Sequence, residues 1–347
     1  MEELSIEQLN RATLARQMLL AREEQAIPEA VERLGALQAQ EPRPPFVALH
    51  ARLAGFERQH LADALHAGTV VRAMAMRATL HILSRNDYVA FRAALDPVMT
   101  GAMAALRGRD QGLDLETLLP AARELLEDDP LTFNEIRARL QEQFPDVNER
   151  ALGYATRLHL PLTMVPTEDP WAFPRDSRFG LGPEPHKQPD LEALARRYLG
   201  AFGPATAADF QTWSGLKNAK PLFESLDLAT FRFGRKTLYD LPDAPRPEPA
   251  EPPPPRLLPD FDSLLLAHQD RTRIVDDEHR KQLTTKNLRI KATFLVDGRV
   301  AGSWSANNKE LTLEPFGRIP KHARPALEEE AEALARFLGG KLQLSGI

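Results

Sequence analysis

Short helical segments followed by a two-stranded ribbon recur along this chain, and that recurrence limits the available folds more than any single residue does. Ser5 followed by Gln8 has the form of a capping box opening a helix through about Arg22. Pro28 suits the first turn of a second helix whose inner stripe is Val31, Leu34 and either Leu37 or Gln38. "QHLADALHAG" is a third helix, ended by Gly68, and "TVVRAMAMRATLHILS" then alternates as a β-ribbon. The order returns in "LDLETLLPAARELLED", "TFNEIRARLQEQFP" and "NERALGYATRLHLPL", with Thr132 and Asn148 as N-caps and "MVPTEDPWAFPRDSRFGL" as the wing. A fainter third pass runs from "DLEALARRYLGAFG" to the strands of "ATFRFGRKTLYDL". Repetition of a supersecondary unit, rather than of residues, predicts an α+β protein built from tandem winged helices.

The predicted units are 1–105, 106–185 and 186–241. A proline-rich connector, 242–256, is expected to be extended polyproline II acting as a spacer. The unit 257–347 reads as β-rich, with Asp297-Gly298 as a hairpin turn and a terminal helix in "ARPALEEEAEALARFLGG".

Composition removes several chemistries. The 347 residues include no cysteine, which excludes disulfides, thiolate zinc sites and cysteine nucleophiles. The acidic start "MEELSIEQLN" is wrong for a signal peptide, and no apolar run approaches the length of a membrane span, so a cytoplasmic protein is expected. No HExxH, P-loop or dinucleotide-binding glycine pattern occurs, and no histidine pairs with a carboxylate cluster at ligand spacing. Neither metal nor organic cofactor is expected. The net charge of −5 argues mildly against nucleic acid, but its distribution is uneven. Acidic residues concentrate in helical segments such as "LEEEAEA", and basic ones in "RTRIV…EHRKQLTTKNLRIK". Arg271, Arg273, Lys281, Lys286, Arg289 and Lys291 form a candidate phosphate-binding surface, interrupted by Asp276, Asp277 and Glu278. Tyr154, Arg157 and His159 fall on the second unit's recognition-type helix, where they either touch DNA or pack.

The stretch "LGALQAQEPRPPF" places Gln38 and Gln40 around Ala39 where a helix is about to break. On a helix, residues two apart point about 200° apart; on an extended chain they share a face. Proline disfavours helix at the preceding residue, so "EPRPP" should force the chain out of the helix at about Gln38 to Gln40. Both amides can then face one cavity. Arg77, Thr79 and His81 alternate with Ala78, Leu80 and Ile82, which on a strand puts the three polar side chains on one face. They read either as a polar wall beside the glutamines or as a buried network holding the wing.

Four blocks in order, "LQAQ", "RATLH", "LLPDFDSLLLAHQDRTR" and "FLVDGRVAGSW", together resemble the AlkZ-like family of bacterial winged-helix DNA glycosylases. The resemblance implies three winged helices in a C-shaped scaffold with a C-terminal barrel-like β domain. It implies excision of N-alkylated purines from double-stranded DNA, in some members from interstrand crosslinks. The family's catalytic element is Gln–apolar–Gln, or Gln–apolar–Asp in a second branch, and Gln38-Ala39-Gln40 matches the first form with a small middle residue.

The chemistry fits that element. A glutamine amide does not titrate near neutrality, but it accepts through its oxygen and donates from its NH₂. That suffices when the leaving base already carries positive charge and departs without protonation. No lysine in these blocks suggests a Schiff-base step, so a monofunctional, monomeric glycosylase is expected. The rival from another class is a winged-helix DNA-binding regulator without catalysis. A non-catalytic damage binder is a third reading. The placement of the glutamines separates the first two: around one cleft with Arg77–His81 for a glycosylase, against specific contacts on a groove-reading helix for a regulator.

Overall fold

A computed structural model of the chain describes residues 1–284, 290–307, 309–339 and 343–346. It is an α+β protein, with three sheets among the described residues. The Ser5/Gln8 capping box is formed, but the helix it opens, Ile6–Arg16, stops well short of Arg22, because Met18 takes a left-handed φ of 53°. The second helix, Ile27–Arg33, starts with Pro28 in its first turn. Val31 and Leu34 are buried as expected of its inner stripe, whereas Leu37 and Gln38 belong to a strand. The helix Pro44–His50, begun by the same prolines that were expected only to break structure, was not foreseen from the sequence. The helix Arg58–His66 ends before Gly68 (φ 66°).

The ribbon forms as Val70–Met74 against Leu80–Ser84, antiparallel, with Arg72 opposite Ile82 and Ala73 opposite His81. It is not a free wing. Arg72 and Ala73 also pair with Met164 and Thr163 of the second unit, so the ribbons of units one and two fuse into one six-stranded sheet. Its order is Leu37–Gln38, Leu80–Ser84, Val70–Met74, Leu162–Met164, Arg178–Leu181, Leu131–Thr132, antiparallel throughout. The second unit's helices Leu115–Glu127, Phe133–Gln143 and Glu149–His159 are capped by the side chains of Asp114, Thr132 and Asn148.

In the third unit the helices Leu191–Phe202, Ala207–Ser214 and Lys220–Ser225 precede the hairpin Ala229–Phe233/Lys236–Asp240. The first residues of the chain return here, Glu2–Glu3 adding a parallel edge strand. The connector 242–255 contains neither helix nor strand, and its carbonyls accept from Arg16 (at Pro245) and Arg11 (at Glu251). The C-terminal sheet runs Arg256–Leu258, Thr293–Val296, Arg299–Ala306, Glu310–Pro315, Gln343–Ser345. Asp297 and Gly298 form the expected turn, both with positive φ (51° and 80°), as a two-residue hairpin loop requires. Helix Arg324–Leu338 covers this sheet, packing Leu327, Ala331 and Leu334 against Phe294 and Trp304. Among the described residues the sheet is open, because its two outer strands do not pair; the expected barrel does not close. No single described helix is long and apolar enough to cross a membrane.

Candidate active site

The glutamine pair sits on a very short strand. After helix Ile27–Arg33, Gly35 (φ 67°) and Ala36 (φ 78°) turn the chain in the left-handed region. A side chain on Gly35 would meet Ala201 Cβ and the Phe202 ring, both at 3.1 Å, so third-unit residues close over this turn. Leu37 and Gln38 then pair with Ile82 and His81, and the Ala39 amide donates to the Leu80 carbonyl at 2.7 Å. The helix therefore ends earlier than the prolines alone would dictate. The Gly35-Ala36 turn and the strand pairing set the break. Leu37 and Ala39 are buried in the core, while Gln38 is half-buried and Gln40 exposed, the alternation that an extended chain gives.

Each amide oxygen is fixed by a group that can only donate, which settles its orientation. Arg77 Nη2 donates to Gln38 Oε1 at 2.7 Å. The backbone N–H of Leu80 donates to Gln40 Oε1 at 2.9 Å. Each oxygen keeps a second lone pair. Neither glutamine NH₂ donates to another of the described residues.

Arg77 was expected on a strand. It lies instead in the five-residue connection 75–79, where Arg77 (φ 56°) and Ala78 (φ 52°) are both left-handed. Two such non-glycine residues cost roughly 1–2 kcal/mol each. The tight turn demands them, closed by the Ala75 amide donating to the Thr79 carbonyl at 3.0 Å. Thr79 is used inside this turn, its hydroxyl donating to Met76 O at 3.0 Å. Only His81 of the three is on the strand, and it is buried.

The His81 ring has a defined state. Its Nδ1–H donates to the Thr79 carbonyl at 3.0 Å, leaving the Nε2 lone pair towards Arg77 Nη2 at 3.4 Å. Burial first, and the Arg77 charge second, push its pKa down to about 3, so it is neutral at physiological pH. Burial lowers Arg77 to about 10, which leaves it cationic. Arg77 Nη1 donates to the Trp213 carbonyl. Gly215 lies against the Arg77 backbone, its Cβ position 3.1 Å from Arg77 Cα. The third unit thus braces the turn.

Gln40 opens onto a cleft of about 440 Å³. Its walls include Arg72, Arg157, Arg175 and Phe133, together with the carboxylates of Glu41 and Asp176. Arg157 stacks over Phe133 (5.0 Å) and Tyr154 (5.4 Å), and its buried Nε has no hydrogen-bond partner among the described residues. Gln38, Arg77, Thr79 and His81 do not line this cleft, so the two amides do not share it as expected; Arg77 and His81 form a layer behind Gln38.

Comparison with known proteins places the chain in a family. The profile of the DNA glycosylase AlkZ-like family matches residues 31–337. This chain belongs to the AlkZ-like family. An interstrand DNA cross-link repair glycosylase of Streptomyces sahachiroi is 26% identical, with 94% of each chain covered. The solved structure of Streptomyces sahachiroi DNA glycosylase AlkZ superposes with a TM-score of 0.84 at 24% identity, covering 99% of this chain and 100% of the other, and shows the same fold.

The other basic residues of this AlkZ-like chain divide sharply. Arg273 does not reach the surface: it is 5% exposed and donates to Thr13 Oγ1 (3.2 Å) and the Phe202 carbonyl (3.5 Å). It is an internal strut, not a phosphate ligand. Arg271 and Lys291 are half-buried. Lys286 and Arg289 lie outside the described residues. His159 is half-buried, with an unpartnered Nε2 among the described residues. Three participants escaped sequence reasoning: Arg72, the Trp213 carbonyl and Phe173. Arg72 carried a usable signal, since it sits in the middle of "VVRAM", a strand buried at every position.

Proposed function

We propose that this chain is a monofunctional DNA glycosylase that hydrolyses the N-glycosidic bond of N-alkylated purines, bulky and crosslinked adducts included. Gln38 and Gln40 position the attacking water. The observation that carries this reading is the extended glutamine pair itself. Its two amide oxygens are pinned by Arg77 and by the Leu80 N–H on a strand edge, where Gln40 opens onto a polar cleft. The free lone pairs accept from a water, whose own lone pair is then directed at C1′. His81, neutral and turned inward, transfers no proton in this scheme. A cationic N7- or N3-alkylated base needs none, because it takes the electron pair of the broken C1′–N bond and leaves as a neutral purine; the proton shed by the water as the C1′–O bond forms passes to bulk solvent. The buried Arg77 charge favours approach of the phosphodiester backbone and fixes the amide that holds the nucleophile.

The cleft suits an adduct too bulky to flip, whose base is attacked in place. DNA crosses the winged-helix units, with Arg157, Arg271 and Lys291 on phosphates. The protein acts as a cytoplasmic monomer on double-stranded DNA. The regulator reading is the weaker one, since the glutamines gather with Arg77 and His81 at a strand edge rather than on a helix built to read a groove.

The test is single-turnover base release from duplexes carrying 7-methylguanine or a nitrogen-mustard crosslink. Wild type should release base, and the Gln38→Ala/Gln40→Ala variant should lose about a hundredfold or more in rate while still binding DNA. No release by wild type from either substrate, with ordinary salt-sensitive binding, would favour the regulator.

A further inference from the structure

Arg72 is a buried guanidinium (3% exposed) in a strand otherwise lined by apolar residues. Its Nε donates to the Ala39 carbonyl at 2.9 Å and its Nη2 to the Gln40 carbonyl at 3.3 Å. These are the last two carbonyls of the Gln-Ala-Gln element. The guanidinium lies over the buried Phe173 ring at 4.7 Å. Phe173 belongs to the second unit, just before the cleft-wall residues Pro174, Arg175 and Asp176. Arg72 also occupies the seam of the fused sheet, opposite Ile82 on one side and Met164 on the other. A two-residue strand followed by Pro42 has few hydrogen bonds of its own. After the ladder to Ile82 and His81, the Ala39 N–H to Leu80 O bond is its last backbone contact, and side chains hold its exit.

We propose that Arg72 is a positioning residue for the glycosylase reaction, clamping the exit of the glutamine strand so that the Gln40 amide faces the cleft. Through Phe173 it ties that strand to the second unit's wall. This deepens the reading given above and rests on it. A guanidinium suits the task because its fixed fork reaches two carbonyls at once, where an ammonium makes a point contact.

The decisive variants are Arg72→Lys and Arg72→Met, with Phe173→Leu as a milder change that leaves the guanidinium in place. Hydrogen–deuterium exchange on the free protein needs no catalysis. The Ala39 and Leu80 amides should exchange about tenfold faster or more in both Arg72 variants and less so in Phe173→Leu, with the C-terminal sheet unchanged. Single-turnover base release at saturating enzyme should fall about tenfold in Arg72→Lys, with DNA affinity within about twofold of wild type. In a Gln40→Ala background the Arg72→Lys change should have little further effect on rate, since the two act on one position. Unchanged exchange at Ala39 and Leu80 overturns the proposal whatever the protein excises. Lost DNA affinity with the saturated rate retained overturns it in favour of a phosphate ligand. So does a fully additive effect with Gln40→Ala. If wild type releases no base, the glycosylase reading alone fails, and the exchange result still decides whether Arg72 clamps the strand.

Discussion

Two kinds of buried arginine hold this molecule, and they sit in different places. Arg16 and Arg52 each make two hydrogen bonds to a buried carboxylate: Arg16 to Asp240 at 2.7 and 2.8 Å, Arg52 to Asp262 at 2.9 and 2.8 Å. All four side chains are 0–1% exposed, and each pair joins the first unit to a later one. Arg77 and Arg72, beside the glutamines, make no ion pair with a carboxylate among the described residues; they meet an amide oxygen, an imidazole and backbone carbonyls. The paired type cancels its charge internally and fixes how units join. The second type keeps positive potential next to a strand edge where an anionic ligand would arrive. A stability argument explains the first and not the second, because a guanidinium on neutral oxygens keeps a desolvation cost that a carboxylate would offset.

The largest test breaks the structural type. Asp262→Ala strands the Arg52 guanidinium in the core and should cost about 3–5 kcal/mol of stability. Denaturant melts should show the lost midpoint, while base release per folded molecule stays near wild type. Equal losses of stability and rate would erase the distinction between the two arginine types.

Acid provides the next largest effect. Burial is the leading cause that lowers His81 and His268 to about 3 and His50 to about 4. The unfolded chain protonates these rings near 6.5 and the folded chain only near 3–4, so stability present above pH 6.5 declines as pH falls towards 4. Asp87 opposes them. Burial pushes its carboxyl up to about 6, so the folded state holds an extra proton and its contribution grows below pH 6. Three rings against one carboxyl leave a net loss of stability as pH falls from 7.5 to 5. Thermal melts across that range check it; a flat Tm would mean the rings are not held neutral.

Arg77→Met should separate the site from the scaffold. It frees Gln38 Oε1 and removes the local charge, so single-turnover release should fall about tenfold. The stability cost should stay near 1–2 kcal/mol, below that of Asp262→Ala, since only neutral acceptors lose a partner. Retained rate with a large stability loss would move Arg77 into the structural class.

Local signals were legible and distant ones were not. Ser5 with Gln8, Thr132, Asn148 and Asp297-Gly298 encode structure through neighbours three or fewer residues away, and each formed as read. The alternation of Gln38 and Gln40 with buried Leu37 and Ala39 was legible for the same reason, since it depends only on the chain being extended. The Arg77–Thr79–His81 face was misread because the alternating pattern ran through a turn. "MRAT" contains no glycine or proline to mark two left-handed residues. The fused sheet, the Trp213 carbonyl at Arg77 and the Arg72 clamp all join residues at least 32 positions apart. Periodicity within a window cannot see such pairings, although a lone arginine in an apolar strand announces that some acceptor must exist.

The basic run from Arg271 shows the same limit at one residue's resolution, and it yields the smallest effect. Arg271 and Arg273 carry equal weight in the sequence, yet Arg273 turns inward to Thr13 and Phe202 while Arg271 stays half-buried. Arg271→Ala should reduce the slope of log affinity against log salt by about 1 and weaken DNA binding a few-fold, whatever the DNA sequence. Arg273→Gln should leave the salt slope unchanged and lower Tm instead, because it removes an internal donor rather than a counterion-releasing contact. A salt slope that fell equally in both would place Arg273 on the DNA and require the helix Ile6–Arg16, which covers it, to move on binding. A slope that fell in neither would assign phosphate contact to the cleft arginines, with Arg157→Ala the variant expected to show it.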